Sequence, residues 1–280
     1  MMEQAEHKHD LPSIQVFNYY EPEDPDGSGG RRVEFRLIYQ GSLPSEKCED
    51  KLVVGSGGYG RAKDKHRLRK HFHLQLRELW KEHPDLRAQA EQRFVVLTTP
   101  SNQVSDPGPN VQRILRATGP IEGAPNARSI DMIYPTSTAG AKTWLEHIAD
   151  SHIRCNGNRF VPLISEAGGF TCDLKILFLR RDNPGGLINN LGDIDNRIKV
   201  LFDGLRMPVE VKELGGYAID QDENPFFCLL ENDRLITSVT VTTDRLVIPL
   251  KAEENISDVL LVIHVTMVNP SAVFAGDRLV

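Results

Sequence analysis

Leu174-Lys-Ile-Leu-Phe-Leu-Arg180, then Arg181-Asp-Asn-Pro-Gly-Gly-Leu-Ile-Asn-Asn-Leu-Gly192, then Asp193-Ile-Asp-Asn-Arg-Ile-Lys-Val-Leu-Phe-Asp-Gly-Leu205: these three consecutive segments decide how the chain is read. The apolar run Cys172 to Arg180 reads as a β-strand, and the Gly/Pro/Asn segment after it as a loop. A helix then begins. In it Ile198, Leu201, Phe202 and Leu205 recur at the spacing of one buried face. Asn196, Lys199 and Asp203 fall on a second, polar stripe directed away from the core. The junction therefore presents Asp193 and Asp195 two residues apart, with an amide and an amine close behind. Carboxylates so crowded repel one another unless a cation neutralises them. The pattern predicts a site for Mg²⁺, with Mn²⁺ as its substitute.

Gly192-Asp193-Ile194-Asp195-Asn196, followed by Lys199, Asp203 and Leu205, resembles the signature of the RusA-type Holliday-junction resolvases, D-x-D-N-x-x-K-x-x-x-D-x-L. That signature is followed by a further acid at the start of a strand. Asp233, in Glu231-Asn232-Asp233-Arg234-Leu235-Ile236, corresponds to it. The resemblance covers about Leu174 to Val241. It implies an α+β fold, a mixed β-sheet with helices packed on it around a RusA-like core at 172–268. It implies a dimeric Mg²⁺-dependent endonuclease of DNA recombination and repair, with Asp193, Asp195 and Asp233 as metal ligands and Lys199 completing the catalytic set. Three features depart from the family. Asn232 stands where members commonly have a second aspartate, the segment between the helix and the later acid is longer, and the chain is about twice the usual length.

Composition sets the remaining bounds. A chain of 280 residues can bury a sizeable core, and 31–280 reads as one domain with insertions. The net charge of −6 excludes a protein coated in basic surface, so any nucleic-acid contact must be local. Cys48, Cys155, Cys172 and Cys228 form no C-x-x-C pair and read as free buried thiols of a reducing compartment. The opening residues lack an apolar core, so no secretory signal is expected. Val259 to Val268, the longest apolar run, is too short to span a bilayer. A cytoplasmic protein without a membrane partner is the expectation.

Outside the central stretch, residues 1–30 read as a disordered acidic tail, with Glu21 to Gly30 rich in Pro and Gly. Arg32 to Gln40 alternates as the first strand, and Gly55 to Gly60 is a flexible loop without the ending of a P-loop. Arg61 to Lys81 holds eight Lys and Arg against Asp64 and Glu78, on a helix that buries Leu68, Phe72, Leu76, Leu79 and Trp80. This basic island is the candidate contact to a DNA backbone, through Arg61, Lys63, Lys65, Arg67, Arg69 and Lys70. His71 and His73 are two apart and cannot act as a helical zinc pair. Gln92 to Thr99 reads as a strand, 110–132 is ambiguous, and Ala139 to His152 reads as a helix burying Trp144 and Ile148. Arg159 to Ser165 reads as an edge strand because of Pro162. The segment 206–225 reads as an insertion with an exposed acidic loop, and Phe226 to Leu230 pairs with Leu235 to Thr242 around the turn that holds Asp233. Ser257 to Val268 is a central strand.

Alternatives bear on the site. An aspartate can simply cap a helix, and one in a short turn is ordinary. An EF-hand fails, because its sixth and twelfth positions from Asp193 are Ile198 and Gly204. A D-x-D nucleotide-sugar enzyme would need a preceding nucleotide-binding domain, and no alternation of that kind precedes the motif. A nucleic-acid-binding protein without cleavage is the other reading, supported by Asn232. In the leading reading Lys199 faces the scissile phosphate or orients the attacking water, Asn196 fixes the loop, and Asp203 pairs with Lys199 at i, i+4. The substrate is branched or structured DNA.

Overall fold

The computed structural model describes residues 33–43, 60–100, 112–121, 124–138, 140–181, 194–247 and 258–268. The tail at 1–30, residues 55–59 of the glycine loop, Cys48 and Asp193 lie outside them. The fold is α+β. Its main sheet orders four strands as β1 (Glu34–Ser42), β11 (Asp258–Val268), β8 (Thr171–Arg180) and β10 (Ile236–Arg245). β11 runs antiparallel to both β1 and β8, and β10 runs parallel to β8. A second sheet is ordered β3 (Gln112–Ile121), β4 (Ala124–Pro135), β2 (Arg93–Pro100), β5 (Lys142–Thr143). A third is ordered β6 (Ile153–Arg154), β7 (Asn158–Ile164), β9 (Phe226–Leu230).

Alternation makes the main sheet one-sided. Phe35, Leu37 and Tyr39, then Leu174, Ile176 and Phe178, then Leu261, Ile263 and Val265 point to one buried face. Helix α1 (Gly60–Glu82) lies in the same core with Leu68, Phe72, Leu76 and Leu79 buried, as its spacing predicts. Helix α4 (Ile194–Leu205) adds Ile198, Leu201 and Leu205. Strand β9 is buried along its whole length, which is why it reads as an unbroken apolar run. Helices α2 (Pro84–Glu91) and α3 (Trp144–Ser151) complete the helical set among the described residues.

Three expectations are corrected. β9 and β10 do not form a hairpin: β9 pairs in parallel with β7 and β10 in parallel with β8, so Glu231 to Leu235 is a crossing between two sheets. β7 lies between β6 and β9. It accommodates Pro162 because β6 pairs only with Asn158 and Arg159, which leaves Pro162 paired on the β9 side alone. The helix read from Ala139 begins at Trp144, where Thr143 closes a capping box with Glu146. It buries Ala149, while Trp144 and Ile148 stay half-buried. The ambiguous segment is the antiparallel ladder β3–β4. Cys155, Cys172 and Cys228 are free and buried, as expected. Among the described residues no helix is long and apolar enough to cross a membrane.

Candidate metal centre and basic helix

Strand β8 ends at Arg180 and α4 starts at Ile194, so the strand and the helix are found as expected, while the segment expected to be a loop lies, from 182 to 193, outside the described residues. Asp195 lies in the first turn of α4, exposed, where the helix dipole favours an anion. Its Oδ1 accepts the Asn196 backbone N–H at 2.8 Å. Lys199 follows one turn later on the same exposed stripe. Among the described residues neither Asp195 nor Lys199 enters an ion pair.

Asn196 and Asp203 depart from their expected roles. Asn196 is 2% exposed rather than on the polar stripe, and its Nδ2 has no hydrogen-bond partner. Asp203 does not pair with Lys199. Lys65 Nζ lies 2.6 Å from its Oδ2, and Arg206 reaches its Oδ1 at 2.8 Å. Burial pushes the Asp203 carboxyl up, but the hydrogen bond and charge of Lys65, joined by Arg206, outweigh it and hold the group below the usual carboxylate range.

Asp233 opens a 3₁₀ turn, Asp233–Leu235, and is exposed. Asn232 caps that turn: its Oδ1 accepts Arg234 N–H at 3.0 Å, and its Nδ2 donates to Glu166 Oε1 at 2.9 Å. Next to it, Glu231 Oε2 accepts Glu166 N–H at 2.9 Å and lies 3.7 Å from His152 Nε2. The His152 contact, ahead of the opposing effect of burial, holds the Glu231 carboxyl low. The turn packs against α4, and Leu235 shares a core with Ile198. The backbone join is at the far end of the helix, where Met207 N–H donates to Leu230 O at 2.8 Å. Asp195 lies about 15 Å along the axis from Leu205 at the helical rise. Helix and turn are in contact, with Asp195 at the end of the helix remote from that backbone join. Among the described residues no three His, Cys, Asp or Glu side chains are grouped for a metal. The donor type, carboxylate oxygen on a solvent-facing helix start, is the one Mg²⁺ or Mn²⁺ prefers.

The basic island divides. Arg69 is 1% exposed and is a structural cation, not a DNA contact. It donates to the carbonyls of Asp203 at 2.8 Å, Arg206 at 3.0 Å and Glu213 at 3.3 Å, which satisfies the C-terminal end of α4. Lys65 is held by Asp203, and Lys70 Nζ by Glu223 Oε1 at 2.8 Å. Arg67 pairs with Asp64 at 3.2 Å but remains exposed, as do Arg61 and Lys63. In the segment 206–225 Asp220 and Asp222 are exposed as expected, while Glu223 is not. The 3₁₀ turns Val211–Leu214 and Gln221–Glu223 of this segment lie on α1, with Glu223 buried. Gly215 sits there at φ 65°, where a Cβ would fall 2.5 Å from Lys63 N.

Sequence reasoning also missed a ring column. Buried His73 stacks on Phe226 with centroids 4.3 Å apart, Phe226 on His66 at 5.9 Å, and His66 against half-exposed Tyr217 at 5.7 Å. Burial pushes both His66 and His73 down to about 4. The spacing of seven between them was the available signal.

Comparisons with protein-family models, curated proteins and solved structures give no match.

Proposed function

We propose that the chain is a Mg²⁺-dependent, structure-selective DNA endonuclease with a RusA-like core, acting in the cytoplasm as a homodimer on branched DNA such as a Holliday junction. The observation that carries the reading is the D-N-x-x-K register from Asp195 to Lys199 on the helix that follows an inner strand of the sheet in sequence, with Asp195 and Lys199 exposed on one stripe while the next acid, Asp203, is internally neutralised. Asp193, Asp195 and Asp233 would hold the ion. Bound there, Mg²⁺ supplies charge neutralisation for a phosphodiester and an acidified water. Lys199 sets a positive charge beside the scissile phosphate. Arg61, Lys63 and Arg67 carry the backbone contact, which is salt-sensitive.

Asn232 favours a second reading, DNA binding without cleavage, because a turn-capping amide stands where the family commonly has an acid. One experiment separates the two. Four-way and linear DNA are incubated with the full chain, with and without Mg²⁺. Cleavage of the junction only with Mg²⁺ supports the nuclease. Binding without cleavage supports the second reading, and the absence of both binding and cleavage removes both.

A further inference from the structure

The two edges of the main sheet are treated differently. At the β1 edge, Gln75 of α1 accepts Ile38 N–H at 3.0 Å and donates to Ile38 O at 2.7 Å, and His71 Nε2 lies 2.8 Å from the same carbonyl. Arg67 donates to Ser42 O at 3.2 Å. Helix side chains thus occupy that edge. At the other edge, β10 has no strand on its outer side among the described residues. It reads Ile236-Thr-Ser-Val-Thr-Val-Thr-Thr-Asp-Arg245, rich in β-branched residues, without proline and uncharged until Asp244. Thr237 to Thr240 are all exposed, with Val239 at 42%. Sheets ordinarily protect so long and uniform an edge with charge, proline or a cover. The only irregularity is a register shift between Ile236 and Ser238.

The sequence around the edge is self-complementary. Asp233-Arg234 precedes the strand and Asp244-Arg245 ends it. Two such segments laid antiparallel about Val239 pair Ile236 to Thr242 with each other and bring Asp244 and Arg245, at the end of one strand, to the partner subunit's 3₁₀ turn, which carries an aspartate and an arginine before its strand. The Arg234 side chain is 81% exposed, and the carboxylate it pairs with, Glu166, is itself half-exposed, so Arg234 can turn to a new acid at little cost. We infer that two copies of this chain join through β10, antiparallel across a two-fold axis at Val239, making one continuous sheet from two four-stranded ones. This gives the homodimer of the proposed function its interface, and rests on that part of the reading rather than on the nuclease chemistry. It also carries the turn that holds Asp233 to the dimer boundary, so two such turns lie at the ends of one shared seam.

The test is sedimentation equilibrium and light scattering of the full chain over a micromolar range, with thermal melts to confirm folding. A dimer is expected. Arg234→Asp and Asp244→Arg should each weaken it by at least about tenfold, because each brings like charges together at both ends of the seam. The double variant should return to within about threefold of the unaltered protein. Val239→Lys, which sets two ammonium groups on the axis, should give monomer. A monomer throughout, single variants that dimerise normally, or a folded double variant that does not recover would overturn the inference. An intact dimer that cuts no DNA would leave the interface standing and remove the nuclease.

Discussion

The two ends of α4 carry the same kinds of residue in opposite states. At the C-terminal end Asp203 is clasped by Lys65 and Arg206, Arg206 reaches Glu213 at 3.0 Å, and buried Arg69 collects the last carbonyls. Every charge there has a counter-charge, and the helix packs so closely on α1 that a Cβ on Gly204 would fall 2.8 Å from Leu68 Cβ. At the N-terminal end Asp195 and Lys199 face solvent outside any ion pair among the described residues. Closed networks stabilise a fold. Exposed, unneutralised charges at a helix start are what remains available to an ion or a phosphate. The difference separates structural acids from candidate ligands where the sequence motif alone treats Asp195, Lys199 and Asp203 alike.

Substitutions at the two ends should therefore have opposite signatures. Asp195→Asn is expected to lower Mg²⁺-dependent cleavage by about a hundredfold or more while leaving thermal stability within about 0.5 kcal/mol. Full activity in that variant would erase the distinction. Arg69→Met should do the reverse. It leaves the carbonyls of Asp203, Arg206 and Glu213 without their shared donor and should cost about 3–5 kcal/mol in a denaturant melt. Gly204→Ala should cost about 1–3 kcal/mol through forced separation of α1 and α4. Among the predicted basic contacts, Lys63→Ala should reduce the salt dependence of DNA binding, whereas Lys70→Ala should act on stability through Glu223.

The ring column gives a pH prediction with a defined sign. His66 and His73 stay neutral in the folded chain down to about 4, while in the unfolded chain they take up protons near the ordinary histidine value of 6.5. Stability is then fully present above pH 6.5 and falls as pH drops from 6.5 towards 4, by at most about 3 kcal/mol per histidine. His73 has a specific reason to resist protonation, since its Nδ1 accepts Phe227 N–H at 2.8 Å. Urea melts across that range check the slope, and His66→Phe should flatten about half of it.

Much of the architecture was legible where one period dominates. β8, β11, α1 and α4 follow from alternation or from one apolar stripe, and the expected core residues are buried in α1 and, in α4, at Ile198, Leu201 and Leu205, whereas Phe202 is half-buried and Val200 takes a buried place. The failures have physical causes. The β9–β10 hairpin was inferred from a short turn between apolar runs, yet both strands found better partners in parallel, across different sheets. Arg69 looked like surface charge because charge runs usually are solvated, and nothing local reveals that a helix terminus will close over one member of the run. Asn196 was assigned to the exposed stripe by its polarity and lies inside by its position on the helix. For the site itself, composition located the helix start, but whether remote acids meet there depends on how the 233–235 turn leans on α4, which no spacing rule gives.

Binding of Mn²⁺ to the full chain, followed by calorimetry or electron paramagnetic resonance, tests the central claim most directly, comparing the unaltered protein with Asp233→Asn. The account predicts one tight class of sites that Asp233→Asn weakens by at least about tenfold. Equal Mn²⁺ affinity in the two proteins, or no binding in either, would contradict it.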